Sequence, residues 1–285
     1  MPYNKNNIAC VVVIYNPDVS VARNIHTYIN AVDHVYIVDN SEMPDFSMPE
    51  RRTSFSYVAN GNNLGVAHAL NQGAKMAIED GYAWLLTMDQ DSTPAENMIA
   101  VMIDRLNSMD TDMVGIVSPV YNLQHKTATM DSESWVLTSG NLLNLSAYRL
   151  CGDFEEKLFI DHIDHEYCLR LRKHGYHIEI CQNAFLAHEL GDSLKSNFLF
   201  YRRAIVQHST LRWYYFLRNG LYVSCKYVYF CPGFLLYFIK QAAKELLKIL
   251  LVYGHKTKYL KITFEAIRDA IIGHYGKYGD KNINN

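Results

Sequence analysis

The chain has 285 residues, 49% of them hydrophobic and 20% charged, with a formal net charge of −2 at pH 7. This is the composition of a folded protein with one large domain, or one domain and an appendage, and without low-complexity tracts. The neutral total hides a split: residues 1–194 carry 12 Lys and Arg against 25 Asp and Glu, and residues 195–285 carry 15 against 4. The basic surplus suggests that the C-terminal part faces something anionic, but with no recognition motif beside it, it does not indicate nucleic acid.

In chain order, MPYNKNNIACVVVIYN has a short apolar run without a basic start or a small-residue cleavage site, so no signal peptide is expected. Within it, residues 8–14 are a β-branched run of the kind buried on both faces of a sheet. Residues 19–31 have helical spacing, 34–41 form a second strand, and FSYVANGNNLG gives a third strand and a Gly/Asn turn. An Ala-rich helix over 66–80 ends at Gly81, and a fourth strand, WLLTMDQDS, is followed by a helix over 95–109 and a fifth strand over 112–121. Residues 152–176 read as a loop and then a helix, followed by a short strand and a polar loop ending in HELGD. Beyond residue 197 the chain turns helical, aromatic and basic, which places a boundary between a domain at 1–200 and a helical region at 201–285.

Strands alternating with helices predict an α/β fold with a mostly parallel, doubly wound sheet. Ligands of such sheets bind at the carboxyl ends of the strands, where this sequence has Tyr15 and Asn16, Asp39 and Asn40, Asn60 and Asn63, and Asp89 and Asp91. The Asp89/Asp91 pair has a repeat of two, which points both carboxylates to one side of an extended chain. Such a pair suits Mg²⁺ or Mn²⁺, and capping of the following helix by Asp91 or Ser92 is the alternative. A second cluster interleaves Asp161, Asp164 and Glu166 with His162 and His165. It suits either the dipole of the following helix or general base catalysis. His188 is as consistent with a turn as with a ligand. The six cysteines form no CxxC pair and read as reduced thiols of a cytosolic protein, in which the NLS sequon at Asn144 is inert.

The ordered segments VVVIYNP, VDNS, NGNNLGVAHALNQGAKMA, MDQDS, SGNLLNL, FEEKLFIDHIDHEYCLRLRKHGY, HELG and RWYYFLRN resemble the family 2 inverting glycosyltransferases, and among them the bacterial rhamnosyltransferases of O-antigen and related surface polysaccharides. The resemblance spans residues 8–220. It implies a GT-A fold with a C-terminal helical extension, a nucleotide-diphospho-sugar donor, dTDP-L-rhamnose foremost, and a saccharide acceptor on a polyprenyl diphosphate; a family 2 transferase using a UDP-sugar, or a sugar-nucleotide-binding protein without transfer activity, is the alternative. By the same resemblance Asp39 contacts the nucleobase, and Asn60, Asn63 and Gly65 line the nucleotide pocket together with Tyr15, Asn16 and Gly140. Asp89 and Asp91 form the DxD, with Asp91 the direct ligand of Mg²⁺ or Mn²⁺ and His188 close to the metal. Asp164 is the catalytic base, and Arg218 contacts phosphate or acceptor. One position departs from the family pattern: the usual Glu before the base is Ile163, which leaves open what orients Asp164.

In FLLYFIKQAAKELLKILLVYGHK (234–256), Lys240, Lys244 and Lys248 recur every four residues, with Leu236, Ile239, Ala243, Leu246, Leu247 and Leu250 broadly opposite. The lysines argue against a transmembrane span and for a helix lying on an anionic membrane surface. This predicts a cytoplasmic protein peripheral to the inner face of the cell membrane; packing on the catalytic domain or a homodimer interface is the alternative.

Overall fold

The computed structural model describes residues 2–47, 55–123, 126–127, 135–188, 193–196, 203–206 and 209–279. Packing divides the chain into two compact units, one of Met1–Glu156 and Tyr167–Glu189, the other of Lys157–Glu166 and Leu190–Asn285. The ten residues that carry the acid–imidazole cluster therefore group with the C-terminal helices.

The first unit runs β1 (Ile8–Ile14), α1 (Val19–His26), β2 (His34–Asp39), β3 (Phe55–Ala59), α2 (Val66–Glu79), β4 (Trp84–Asp89), β5 (Ser92–Pro94) and α3 (Met98–Asn107). It continues with β6 (Val114–Leu123), β7 (Lys126–Thr127), β8 (Asn141–Asn144), α4 (Leu145–Cys151), the greater part of α5 (Ile163–Lys173) and β9 (His177–His188). Sheet order is β3-β2-β1-β4-β8-β6-β9-β5, with β7 paired to β6. Strands β3, β2, β1, β4, β6 and β9 run one way, and β8 and β5 run the other, giving the expected mostly parallel α/β sheet.

β1 lies between β2 and β4, and its register sets Ile14 opposite Asp39 and Val13 opposite Asp89. Ile8, Val11, Val12 and Ile14 are buried and Val13 partly so, as a central strand covered on both faces requires. Ala67, Ala69, Ala74 and Ala77 give α2 a small-residue face, and at Gly73 the helix comes so close that an added Cβ would lie 2.2 Å from Val11 Cγ2.

Four local expectations change. The helix expected over 19–31 stops at His26, where Thr27 bonds back to the Asn24 carbonyl and the next residues turn, burying Tyr28 and Ile29. Ser92–Pro94 pairs with β9 as a strand, and Asn97 takes the N-cap position of α3, so neither Asp91 nor Ser92 caps that helix. β8 and α4 were not foreseen, because a four-residue strand becomes legible only through its antiparallel pairing to β4 and β6. β9 has twelve residues instead of few, its alternation masked by a register shift between Pro119 and Val120 of the neighbouring strand. Asn144 caps α4 and donates its amide to the Val114 carbonyl, a structural use for the sequon asparagine.

In the second unit β10 (Ser193–Ser196) and β11 (Arg203–Val206) pair antiparallel, followed by α6 (Thr210–Tyr227), α7 (Pro232–Leu251) and α8 (Lys256–Ile272). Ser209 caps α6 through the Arg212 N–H. Trp213 Nε1 donates to Thr263 Oγ1 at 2.8 Å and the Tyr214 hydroxyl to Asp269 at 2.6 Å, tying α6 to α8. Among the described residues no helix is long and apolar enough to cross a membrane.

The α2–β1 approach yields a test. Alanine is the better helix former by about 1 kcal/mol, yet Gly73→Ala is expected to destabilise the protein by roughly 1–3 kcal/mol through overpacking against Val11, as measured by urea denaturation.

Candidate active site

At the carboxyl edge of the first unit's sheet the polar residues bond to one another in a chain. Asp39 ends β2 fully enclosed: Oδ1 accepts the Ser41 N–H at 2.8 Å and Oδ2 the Tyr57 hydroxyl at 2.6 Å. Next to it Asn40 donates to the Gly65 carbonyl and accepts from Asn60, which exchanges two hydrogen bonds with Gln72. The Asn63 side chain accepts the Gly65 N–H, and Gly65 holds φ 90° as it turns into α2. At the end of β1 the Tyr15 N–H reaches Gln90 Oε1 and the Asn16 N–H reaches Ser41 Oγ, each at 2.7 Å. Sequence reading marks Asn40 at a strand end but misses Ser41, Tyr57, Gln72 and Gln90 as parts of this network. VDNS already contains Ser41, whereas Gln90 is recognisable only once β1 and β4 are paired.

The carboxylate pair stands on the same edge. Asp89 ends β4, half-buried, and its N–H donates to Ser139 Oγ at 3.0 Å. Ser139 in turn donates to the buried Ser92 at 2.8 Å, and Asp91 is exposed between them in sequence. Ser92 pairs with His188 across β5 and β9, which brings the His188 backbone to the DxD segment; its side chain, and the HELGD turn after it, lie outside the described positions. Gly140 donates to the Thr87 carbonyl at φ 84°, where a Cβ would come 2.8 Å from Leu186. Among the described residues no three His, Cys, Asp or Glu side chains gather into a closed ligand set. Two carboxylates at a strand edge nevertheless fit a hard cation that completes its shell with diphosphate oxygens and water.

The second unit holds the acid–imidazole cluster. Asp164 lies in the first turn of α5 with its side chain 16% exposed, and Oδ1 accepts from both the His165 N–H and His165 Nδ1 at 2.8 Å. Burial works to raise its pKa, but the His165 charge and hydrogen bonds prevail and hold it below the usual carboxylate value. Burial pushes the carboxyl of Asp161 up to about 6, with Asp164 adding to the shift and Arg212 at 3.4 Å opposing it. His162 is buried with neither ring nitrogen bonded, and desolvation lowers its pKa to about 3. Glu166 has a different use: fully buried, it accepts from Lys226 Nζ and the Tyr227 hydroxyl, each at 2.8 Å.

The segment before Asp164 is held in an uncommon backbone conformation. Phe159, Asp161 and His162 have φ of 64°, 60° and 63°, a region that non-glycine residues seldom occupy. Asn219 Nδ2 donates to the carbonyls of Leu158, Ile160 and Asp161, and Arg218 reaches Leu158 and Gly276. Arg218, expected to contact phosphate or acceptor, is 1% exposed, lies 5.1 Å from the rings of Tyr214 and Tyr215, and donates to carbonyls of the cluster segment and of Gly276. The RN pair of RWYYFLRN is thus a structural clamp, with Asn219 the member that motif reading passed over. Asp39, expected to contact the nucleobase, is enclosed by the Ser41 N–H and the Tyr57 hydroxyl.

The family model of "Glycosyl transferase family 2" matches residues 9–190. The chain belongs to glycosyl transferase family 2. This glycosyltransferase is also 27% identical to "dTDP-rhamnosyl transferase RfbF" of Shigella flexneri, over 95% of this chain and 97% of that protein. A crystal structure of S. aureus TarS, residues 1–349, superposes with a TM-score of 0.55 at 10% identity, covering 93% of this chain and 80% of that one. That likeness supports the GT-A fold alone.

The raised carboxyl of Asp161 has a consequence for stability. An acid whose folded pKa exceeds its unfolded value of about 3.9 contributes fully below that value and loses the contribution as pH rises through the folded pKa. His162 acts with the opposite sign, so the informative quantity is the difference between two proteins. Relative to the parent, Asp161→Asn is expected to gain stability as pH rises from about 4 through about 6, checked by urea denaturation across that range.

Proposed function

We propose that this glycosyltransferase transfers L-rhamnose from dTDP-L-rhamnose, with inversion, to a hydroxyl of a saccharide carried on a polyprenyl diphosphate. The mechanism rests on Asp164, a partly exposed carboxylate whose Oδ1 is fixed by His165. Among the described residues Oδ2 makes no hydrogen bond, leaving it for an acceptor hydroxyl. The donor follows from likeness to the Shigella dTDP-rhamnosyl transferase along nearly the whole chain.

In this reading the rim of Tyr15, Asn16, Asn60, Asn63, Gly65 and Gly140 receives the nucleotide. Asp39 exchanges the Tyr57 hydroxyl for a base N–H. Asp89 and Asp91, with His188 beside them in the sheet, hold Mg²⁺ or Mn²⁺. That cation, when bound, supplies positive charge to a departing diphosphate. Asp164 takes the proton of the acceptor hydroxyl as the new bond forms on the face opposite the leaving group. An ionised carboxylate serves here because a weakly acidic hydroxyl releases its proton only in the transition state, so position matters more than a raised pKa.

Calorimetric titration of dTDP-L-rhamnose, UDP-glucose and UDP-galactose, with Mg²⁺ and then with EDTA, tests the donor and the metal. Binding of the dTDP sugar alone, lost in EDTA and in Asp91→Ala, is expected. Preference for a UDP sugar would overturn the rhamnosyl assignment. Asp164→Asn should bind donor normally while dTDP release falls by roughly 10²–10⁴-fold, the usual contribution of a general base.

Two exposed faces in the second unit support a membrane-surface location. On α7, Phe234, Phe238 and Ile249 face inward, while Leu236, Ile239, Leu247 and Leu250 are exposed beside Lys240 and Lys244. On α8, Leu260, Phe264, Ile267 and Ile271 follow at intervals of four, three and four, and Phe264 and Ile271 are 71% and 79% exposed. A second copy of the chain would bring lysines against lysines, whereas an anionic lipid surface matches both the apolar faces and their basic flanks. The protein is expected to sediment with phosphatidylglycerol vesicles and not with phosphatidylcholine ones. Phe264→Ser with Ile271→Ser should weaken this at least tenfold, since each lost side chain is worth about 1.5–3 kcal/mol of burial. Dimerisation without vesicle binding would refute the location.

A further inference from the structure

The residue before Asp164 is Ile163, whose side chain cannot hydrogen-bond to the carboxylate. The next residue supplies two donors to one oxygen: His165 N–H and Nδ1 both lie 2.8 Å from Asp164 Oδ1. An acceptor-only carboxylate makes Nδ1 the protonated nitrogen. The imidazole is itself packed in place, its centroid 5.5 Å from Phe234 and 6.0 Å from Tyr237 of α7, and 4.9 Å from His162.

The neighbouring groups of the segment are engaged or enclosed in their own ways. His162, 3% exposed, is wedged among Phe216, Phe234 and Phe238, and both its nitrogens are unpartnered. Gly220 makes room for it, because a Cβ there would come 2.9 Å from His162 Nε2. Asp161 is drawn to Arg212 of α6, at 3.4 Å. Among the described residues, the ionisable groups near the pair include Asp161 and His162 from its own segment, Arg212 from α6 and the Tyr237 phenol from α7.

We propose that His165 is the positioning residue of the base: it locks Oδ1 of Asp164 and so turns Oδ2 toward the acceptor hydroxyl, the task that Ile163 cannot perform. The proposal rests on Asp164 being the base, and it predicts an electrostatic signature as well as a geometric one. Burial alone would raise the carboxyl pKa of Asp164, and the adjacent His165 imidazole opposes it most strongly. Removing that imidazole therefore moves the titration of Asp164 upward.

The test uses the full chain and needs no acceptor, because water can take the acceptor's place. Release of dTDP from dTDP-L-rhamnose is followed against pH for the parent, His165→Ala, His165→Asn and Asp164→Asn. The ¹³C-carboxyl resonance that disappears in Asp164→Asn is titrated in the other three proteins. His165→Ala is expected to lose about 10–100-fold in kcat at unchanged donor affinity, part of what a general base contributes. Its acid limb and Asp164 resonance should both titrate at higher pH than in the parent. His165→Asn, whose amide can replace the Nδ1–H donor, should recover most of kcat. An unchanged acid limb and resonance in His165→Ala would overturn the proposal, as would an Asn variant no better than the Ala variant. Full activity in Asp164→Asn would remove the base assignment itself, a result that the His165 variants cannot mimic.

Discussion

The in-register parallel pairing of β1 between β2 and β4 is the constraint on which the first unit depends. Ile14 opposite Asp39 and Val13 opposite Asp89 bring two acids to one edge of the sheet. A slip of one residue would turn every side chain of a strand to the other face. The register is held by an apolar run buried on both sides and by a helix that approaches closely enough to require Gly73. The polar rim is then a consequence of where apolar strands end: Ser41, Gln90 and Ser139 receive or supply the bonds that adjacent strand ends leave open.

The second unit solves a different problem, holding a polar segment in a conformation that its residues disfavour. A left-handed non-glycine residue costs roughly 1–2 kcal/mol, and this segment has three. Opposing that cost are the hydrogen bonds of Arg218 and Asn219 to its carbonyls, the stacking of Phe159 on Tyr215, and the burial of His162 among phenylalanines. Over-determined strain of this kind gathers where chemistry needs a side chain aimed in one direction. Here the side chain that follows is Asp164.

The charge split between the two parts of the sequence also acquires a physical form. Few acids occur after residue 194, and two of them are drawn inside: Glu245 bonds to Lys248 and Tyr253, and Asp269 to Arg268 and Tyr214. Glu166, which packs in the same unit, is likewise enclosed with Lys226 and Tyr227. Internalising acids leaves the surface of these helices more basic than the composition states. The exposed leucines and isoleucines of α7 and α8 are set in that basic surface.

Much of the fold was legible because it rests on local periodicity. The run at residues 8–14, the helix from Val66 and the strand ending at Asp89 have boundaries that the structure reproduces closely. The short strand at Asn141–Asn144 was not legible, since its only reason to be a strand is the pair of neighbours it bridges. The site divides in the same way. Asp39, Asp89 and Asp91 could be marked from position alone, because strand ends can be counted along a chain. Enclosure could not be read, and it is what buries Asp39 and Arg218. Nor could the sequence show which neighbour would bond to Asp164, because that depended on α7 packing the His165 ring into place. The sequence by itself determined the order of the elements and the chemical identity of the edge, both consequences of periodicity and residue type. Only the tertiary structure decided which polar groups are open and which are occupied, because burial and hydrogen-bond partners are set by residues far apart in the chain.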